Sequence, residues 1–377
     1  MTARRLLTIG HSYVVTENRR LAHEMAVQGR GRWDVVAIAP ARFHGDLGLI
    51  EARAAPGEAM ALKTVPMRLG RSPHFMRYTG LGDAMAGPWD VVHAWEEPYV
   101  AAGAQIAAAA PASAKLVFST FQNLSKTYPW PLSSFERRSM TRADAWIAFG
   151  ELVRTTLASR AGYAGKPSRV MTPGVDVEQF RPDGAAGAAV RRELGWTEAA
   201  SVVGFLGRFE PEKGLDVLCR ALEGVSTPWH ALFVGGGSME PALRTFESRH
   251  PSHVRVITGV AHGEVPRWLN AMTVLCAPSQ TTPAWKEQFG RMLIEAMACG
   301  VPVAGSDSGE IPYVIGDAGL VLPETEAAAW TTAIGTLLED RRVGRDYAAR
   351  GVSRVHERFA WPAIARAHVD WFEEVAE

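Results

Sequence analysis

Short apolar runs alternate with amphipathic stretches along the whole chain. This alternation is typical of parallel strands joined by right-handed crossover helices. Ten strands are too many for one comfortable open sheet, so the pattern predicts an α/β protein with two doubly wound Rossmann-like domains facing across a cleft. The predicted strands are Leu6–Gly10, Val35–Ala39, Val91–Ala94, Leu116–Thr120, Trp146–Phe149, Ser201–Leu206, His230–Val234, Val254–Ile257, Val274–Ala277 and Val301–Gly305.

The domain boundary is expected soon after the fifth predicted strand. An extended segment there breaks at Pro173-Gly174, and a Gly/Ala-rich stretch then leads into a new helix. We therefore assign residues 1–170 to an N-terminal domain and 171–355 to a C-terminal domain. The amphipathic, aromatic residues 356–377 are predicted to form a C-terminal helix that packs back toward the N-terminal domain.

Composition limits the classes of function. The chain is 47% hydrophobic and 21% charged with a formal net charge of zero, which is typical of a soluble enzyme. The chain has no net charge that would attract nucleic acid. No apolar stretch reaches the roughly 18 residues of a transmembrane helix. We therefore expect a cytoplasmic protein without a nucleic-acid partner.

Two glutamates flank the start of a predicted helix. Glu287 precedes an apolar helix expected from about Gly290 to Cys299, and Glu295 lies about two turns into it. Roughly 12 Å of rise between the two carboxylates is too long for them to share a metal ion. Free N–H groups at the helix N-terminus suit a phosphate, so the pattern fits an elongated ligand such as a nucleotide-sugar. The alternative is that Glu287 only interacts favourably with the helix dipole and that Glu295 faces solvent.

Two cations follow the first predicted strand of the second domain. Arg208 and Lys213 lie in a glycine-containing loop, where the backbone can approach a ligand closely. Two cations at a strand end suit a diphosphate, which Arg can bind in bidentate fashion. The alternative is that the two cations pair with Glu210 and Glu212.

Together these motifs resemble those of family 4 retaining glycosyltransferases, which are group 1 glycosyltransferases with the GT-B fold. The resemblance covers about half of the chain, in segments 170–182, 207–214, 278–300 and 301–312. It implies that a sugar passes from a nucleotide-diphosphate-sugar to a hydroxyl of a sugar, glycolipid or polysaccharide, with retention and without a metal. The nucleotide-sugar would be a co-substrate, and no further cofactor is expected.

The resemblance also implies residue roles in the second domain. Arg208 and Lys213 would hold the diphosphate and offset charge on the leaving group, and Glu287 would contact the donor sugar. Glu295 would bind the ribose. The other donor-binding residues would be Gly207, Gln288, Phe289, Gly290 and Arg291. No Asp-x-Asp motif supports a metal-dependent transferase of the other major fold.

The first half matches the family less well, as expected if it binds a different acceptor. Gln122 stands where many relatives have an active-site His, and Gln cannot act as a general base. The remaining mechanism is therefore one in which the leaving phosphate takes the proton of the acceptor hydroxyl. The candidates for contact with the acceptor or the donor sugar are His11, His93, Glu96, Glu97 and Gln122. For the two histidines, a structural role is the alternative.

Other interpretations stay open at this level. The basic, aromatic segment 126–138 and Arg142 fit either peripheral contact with the inner face of a membrane or a solvated helix. Two other functions fit the same motifs: a nucleotide-sugar epimerase or hydrolase on the same fold, and a catalytically inactive scaffold that binds a nucleotide-sugar.

Overall fold

The computed structural model describes residues 3–45, 48–69 and 72–377. By its internal contacts the chain divides into two compact units. Unit 1 comprises Met1–Gly174 and Trp361–Glu377, and unit 2 comprises Val175–Ala360. Each unit has its own hydrophobic clusters, so each is described separately.

The regular elements alternate between strand and helix, as the apolar pattern predicts. The strands are β1 (Arg4–Ile9), β2 (Trp33–Pro40), β3 (Arg42–Gly45), β4 (Gly48–Glu51), β5 (Ala61–Val65), β6 (Met67–Arg68), β7 (Arg77–Tyr78), β8 (Val91–Ala94), β9 (Lys115–Thr120), β10 (Ala145–Ala148), β11 (Ser168–Val170), β12 (Val202–Arg208), β13 (His230–Gly236), β14 (Val254–Ile257), β15 (Val274–Ala277), β16 (Val303–Ser306) and β17 (Gly319–Leu322).

Helices connect most of the strands. The α-helices are α1 (Arg20–Gln28), α2 (Leu81–Met85), α3 (Ala101–Ala109), α4 (Leu132–Arg142), α5 (Glu151–Leu157), α6 (Gly184–Glu193), α7 (Leu215–Gly224), α8 (Glu240–Arg249), α9 (Val265–Asn270), α10 (Arg291–Ala298), α11 (Ile311–Ile315), α12 (Ala327–Glu339), α13 (Arg341–Arg358) and α14 (Trp361–Ala376).

The main sheet of unit 1 is parallel throughout. Its strand order is β5-β2-β1-β8-β9-β10-β11. The chain therefore moves outward from β1 to β5 and then returns to the other side of β1 with β8. This reversal places a topological switch point between β1 and β8, where doubly wound sheets bind ligands. The C-terminal helix α14 packs against α1 in the same unit.

The sheet of unit 2 is also parallel throughout, with the order β14-β13-β12-β15-β16-β17. This is the strand order of doubly wound dinucleotide-binding domains. Its switch point lies between β12 and β15. Strand β15 is buried at every position, because helices cover both faces of the sheet.

All ten strands predicted from the apolar pattern are present, and the predicted α/β class with two doubly wound parallel sheets is confirmed. The pattern did not predict the edge strands β5 and β17. Strand β5 has a single buried position and β17 has none, so neither has the continuous apolar run of a central strand. The C-terminal helix begins at Trp361, and residues up to Arg358 belong to α13.

Candidate active site

The switch point of unit 2 brings the loop after β12 against the segment after β15. Gly214 has a φ of +66°, and a Cβ atom there would lie 1.9 Å from the carbonyl oxygen of Pro278. Only glycine allows this approach. The close approach places Lys213, which precedes Gly214, beside the residues that follow β15.

Lys213 is paired with Glu287 at this switch point. Lys213 Nζ donates a hydrogen bond of 2.6 Å to Glu287 Oε2, and the two side chains are 10% and 8% exposed. The Ser279 hydroxyl donates to the same carboxylate oxygen at 2.9 Å. The Lys213 ammonium also lies 4.7 Å from the ring centroid of Trp285, within the range of a cation–π interaction. The lysine is thus held by a carboxylate and an aromatic ring.

The Lys213–Glu287 pair is a buried ion pair, and this has energetic consequences. Burial removes water from both charges, and the attraction between them offsets part of this desolvation cost. The pair therefore fixes the position of a cation at the carboxyl end of the sheet. A fixed cation in a weakly solvated place stabilises an anion more strongly than a mobile surface lysine does.

The backbone of Glu287 is supported from the loop after β16. The Glu310 N–H donates to the Glu287 carbonyl oxygen at 3.1 Å. Gly309 has a φ of +58°, and a Cβ atom at this position would lie 1.9 Å from the same oxygen. The loop after β16 can therefore approach Glu287 only because residue 309 is glycine.

Helix α10 begins beside this loop. Gly290 is its N-cap residue with a φ of +80°, and no side chain caps the helix there. Glu295, inside the helix, is 6% exposed. Burial raises the pKa of Glu295 to about 7, and the nearby Arg291 opposes this shift. Its carboxyl group accepts no hydrogen bond within the part of the chain that the structure describes, so it is free to accept bonds from a ligand.

The other residues predicted to bind the nucleotide-sugar donor have more varied surroundings. Arg208 is exposed and pairs with Glu212 at 3.3 Å, as the alternative interpretation proposed for it. Phe289 is buried and its ring packs against Phe359, so only its backbone is available to a ligand. Gln288 and Arg291 are exposed, and Gly207 is the penultimate residue of strand β12 with a φ of +144°.

The switch point of unit 1 holds a second polar group. His11 follows β1 and Glu96 follows β8, and His11 Nδ1 lies 2.7 Å from Glu96 Oε2. The other carboxylate oxygen accepts the backbone N–H of His11 at 2.6 Å and the Tyr78 hydroxyl at 2.8 Å. The Glu96 side chain is 1% exposed, whereas the His11 side chain is 33% exposed. The buried carboxylate thus orients a half-exposed imidazole.

The charge of Glu96 changes the proton affinity of His11. Burial by itself lowers the pKa of His11, but the adjacent Glu96 carboxylate outweighs burial and raises this pKa above its usual value. An imidazole held in this way can bind an anion when it is protonated. When it is neutral, it can accept a proton from a hydroxyl.

Glu97 and Gln122 belong to a separate polar cluster in unit 1. Glu97 accepts the Phe121 N–H at 2.7 Å and the Thr120 hydroxyl at 2.8 Å. Burial raises the pKa of Glu97 to about 7. The Gln122 amide donates to the Tyr163 hydroxyl and accepts from the Tyr128 hydroxyl. Gln122 is therefore an internal member of this network.

His93 has structural surroundings. It is fully buried in β8, with its two ring nitrogens 3.1 Å from the Thr8 hydroxyl and 2.8 Å from the Ser119 hydroxyl. Burial, with a smaller effect of His368, lowers the pKa of His93 well below its usual value. A neutral ring without solvent contact is what the structural alternative for His93 predicts.

Sequence reasoning missed several residues that complete these clusters. Ser279 and Trp285 lie in the segment that carries the family resemblance, and their position after β15 was the available signal. Tyr78 contacts Glu96 from strand β7, and no local pattern indicates this contact. Within the described ranges, no group of three His, Cys, Asp or Glu side chains is placed to hold a metal ion.

These two doubly wound parallel-sheet units define the GT-B class of fold. A solved structure of HepE from Anabaena in complex with UDP aligns with 98% of this chain and 100% of its own, with a TM-score of 0.74 and 20% sequence identity. This likeness shows the fold. Residues 200–340 match the family model described as glycosyl transferases group 1. The matched part of unit 2 contains Arg208, Lys213, Glu287 and Glu295.

Two curated relatives are similar in sequence. The D-inositol 3-phosphate glycosyltransferase of Xylanimonas cellulosilytica is 33% identical over 64% of this chain and 60% of its own length. The GDP-mannose-dependent alpha-(1-6)-phosphatidylinositol monomannoside mannosyltransferase of Mycolicibacterium smegmatis is 33% identical over 60% of this chain and 62% of its own. The aligned region thus spans less than two thirds of either relative.

The described residues include no helix that is long and apolar enough to cross a membrane. In the basic, aromatic segment, Trp130 is 82% exposed just before α4. Peripheral membrane contact by this segment and a cytoplasmic location stay predictions.

Proposed function

We propose that this protein is a hexosyltransferase that moves a sugar from a nucleotide-diphosphate-sugar to a hydroxyl of a sugar, glycolipid or polysaccharide. The observation that carries the proposal is the group at the switch point of unit 2. There the buried Lys213–Glu287 pair lies in the same group 1 segment as α10 and the unpartnered Glu295 carboxyl. A nucleotide-sugar matches this group because it has an anionic diphosphate between two hydroxyl-bearing sugars.

We assign the donor to unit 2. Lys213 and the exposed Arg208 would offset the negative charge of the diphosphate, together with the uncapped N-terminus of α10. Glu295 would accept hydrogen bonds from the ribose hydroxyls, which would satisfy its carboxyl group. Glu287 would contact the transferred sugar while holding Lys213. The backbone of Gln288, Phe289 and Gly290 would lie beside that sugar.

We assign the acceptor to unit 1. Its switch point offers the oriented imidazole of His11 and the buried carboxylate of Glu96. An acceptor hydroxyl could bond to the exposed edge of the imidazole, since the ring orientation is already fixed by Glu96. Glu97 and Gln122 would act through their hydrogen-bond network and hold the neighbouring loop in place.

We further propose retention of configuration, as in family 4 enzymes, without a metal. The bond between the anomeric carbon and the phosphate oxygen breaks, and its electron pair stays on the diphosphate. The acceptor oxygen forms the new bond to that carbon, and its proton passes to a phosphate oxygen. Gln122 cannot take this proton, whereas the leaving phosphate can. Lys213 and Arg208 would stabilise the charge that develops on the diphosphate.

A nucleotide-binding screen tests the donor assignment first. Thermal unfolding is measured with UDP, GDP, ADP, CDP and dTDP, each with EDTA present. A ligand at a hundredfold excess over its Kd stabilises the fold by about 2.7 kcal/mol. We expect one nucleotide to raise Tm in the wild type and not in Glu295→Ala. No stabilisation by any of the five would contradict the donor assignment.

The transfer itself is tested with sugars carried on the nucleotide that binds. Product formation with an acceptor, at a rate well above donor hydrolysis, supports a transferase. Donor consumption that does not depend on any acceptor would instead identify a hydrolase or epimerase. Tight binding without turnover under all conditions would identify a scaffold.

A further inference from the structure

A pocket of about 320 Å³ lies at the amino end of the sheet of unit 2. Its lining includes Ser201, Thr273 and Pro302, which immediately precede β12, β15 and β16, respectively. The candidate donor site lies at the opposite, carboxyl ends of these strands. The two locations are therefore separated by the length of the sheet, and the pocket is not part of the donor site.

Three guanidinium groups line this pocket. Arg191 comes from the end of α6, and Arg341 and Arg345 come from the first two turns of α13. Among the lining residues Glu198 is the only acidic one, and its carboxylate pairs with Arg192, which does not line the pocket. With three cationic side chains and one carboxylate, the lining has an excess of positive charge.

Arg191 and Arg341 are held close to each other. Arg191 donates from Nε to the Ala271 carbonyl oxygen at 2.9 Å and from Nη1 to the Glu198 carbonyl oxygen at 2.7 Å. Arg341 Nη2 lies 3.5 Å from the carbonyl oxygen of Ala199, the next residue. Two guanidinium groups are therefore fixed against adjacent peptide groups. Burial, together with the like charge of Arg341, lowers the pKa of Arg191.

Donor groups remain available on all three side chains. Within the described chain, Arg191 Nη2 donates no hydrogen bond, and Arg345 makes no hydrogen bond or ion pair at all. An arginine carries five N–H donors, of which Arg191 uses two. The remaining donors suit the oxygens of a phosphate, which guanidinium groups bind in bidentate fashion.

We propose that this pocket is a second anion site, which binds a small molecule carrying a phosphate or diphosphate group. Bound anion would relieve the repulsion between Arg191 and Arg341 and would give Arg345 a partner. The volume is near the lower limit for small-molecule pockets, so the ligand is compact. Met272, Leu337 and Leu338 also line the pocket and provide an apolar wall for the rest of it. The proposal stands independently of glycosyl transfer.

Pyrophosphate is the probe for this site, titrated into the full chain by isothermal calorimetry at low salt. Arg345→Gln is the informative variant, because Arg345 has no internal bond whose loss would disturb the fold. Arg342→Gln is the matched control, since Arg342 is an exposed neighbour on α13 that does not line the pocket. Arg208→Gln reports binding of the same probe at the donor site.

We expect Arg345→Gln to weaken pyrophosphate binding about tenfold, the effect of one lost charge-assisted hydrogen bond. Arg342→Gln should leave pyrophosphate binding to the pocket unchanged. Arg208→Gln should also leave binding to the pocket unchanged, since it affects only pyrophosphate bound at the donor site. Equal weakening by Arg342→Gln would show a general charge effect and overturn the proposal. Binding that requires Arg208 but not Arg345 would assign the anion to the donor site alone. An absence of any binding by the wild type would also overturn it.

Discussion

Lys213 Nζ donates a 2.6 Å hydrogen bond to Glu287 Oε2, although 74 positions separate the two residues in the chain. The contact exists because β12 and β15 are neighbours at the switch point of the sheet, so the loops that follow them meet. Both side chains are nearly buried, and the pair therefore combines a structural role with the proposed binding of a diphosphate.

Loss of Lys213 should reduce both activity and stability. We expect Lys213→Ala to lower the transfer rate by at least about 100-fold, as for loss of one donor to developing charge. The free energy of unfolding should fall by about 3 kcal/mol, because the buried Glu287 carboxylate loses the cation that offsets its charge. Urea unfolding and a transfer assay measure the two effects.

A double variant separates these two effects. Lys213→Met with Glu287→Gln removes both charges and should recover much of the stability but none of the activity. Arg220→Ala, in an exposed pair with Asp216 on α7, is the control and should change neither. A double variant no more stable than Lys213→Ala would show that the two charges are not coupled.

Glu295 should destabilise the ligand-free protein above neutral pH. Its pKa is raised from 4.5 to about 7, so between these values the folded protein keeps a proton that the unfolded chain has released. The free energy of unfolding due to this group therefore falls as pH rises through that window, and the penalty is complete above pH 7. Glu295→Gln should thus be more stable than the wild type at pH 8, by about 3 kcal/mol, with little difference at pH 4.5.

Urea unfolding of both proteins across this pH range measures the difference. The same variant should lose nucleotide binding, since an amide cannot replace a carboxylate that accepts two ribose hydroxyls. Glu326→Gln, an exposed residue just before α12, should show neither effect. A pH-independent gain in stability would contradict the proposed titration of Glu295.

Gly309 should be essential for the geometry around Glu287. In Gly309→Ala the new methyl group would collide with the Glu287 carbonyl oxygen, and the φ of +58° adds strain. We expect nucleotide affinity to fall at least about tenfold and the free energy of unfolding to fall by about 2 kcal/mol. Binding calorimetry and urea unfolding measure these changes.

Gly335→Ala is the matched glycine control for this experiment. Gly335 lies within α12, and a Cβ atom there meets nothing within 4 Å. The change should stabilise the helix by up to about 1 kcal/mol and leave nucleotide affinity unaltered. If Gly309→Ala bound nucleotide as well as Gly335→Ala does, the loop after β16 would have no role in positioning Glu287.

His11 should titrate above the usual pKa of histidine, and Glu96 should be the cause. NMR titration of the imidazole resonances measures this directly. In Glu96→Gln the pKa of His11 should decrease, because the carboxylate that outweighs burial is lost. His93, buried and neutral, is the internal control and should not titrate near pH 6.5 in either protein.

The acceptor assignment predicts a distinct kinetic effect for the same residue. His11→Ala should raise KM for the acceptor by about tenfold and leave nucleotide affinity unchanged, since the lost hydrogen bond lies in unit 1. An unchanged acceptor KM would remove His11 from the proposed site. A loss of nucleotide affinity would instead connect it with the donor.

The sequence by itself determined the central strands and the general location of the candidate site. Strands covered on both faces must be apolar along their length, so β8, β12 and β15 were visible as continuous runs. Residues directly after such strands lie at one edge of a parallel sheet. This rule led to Arg208, Glu96 and His11 without knowledge of strand order.

Only the tertiary structure decided which of these residues meet and which are buried away. Strand order places β12 beside β15 and β1 beside β8, and no local pattern encodes that choice. The pairing of Lys213 with Glu287, the contact of Tyr78 with Glu96 and the burial of His93 all follow from it. Such contacts join distant parts of the chain, so their energies depend on the packed fold and not on spacing in the sequence.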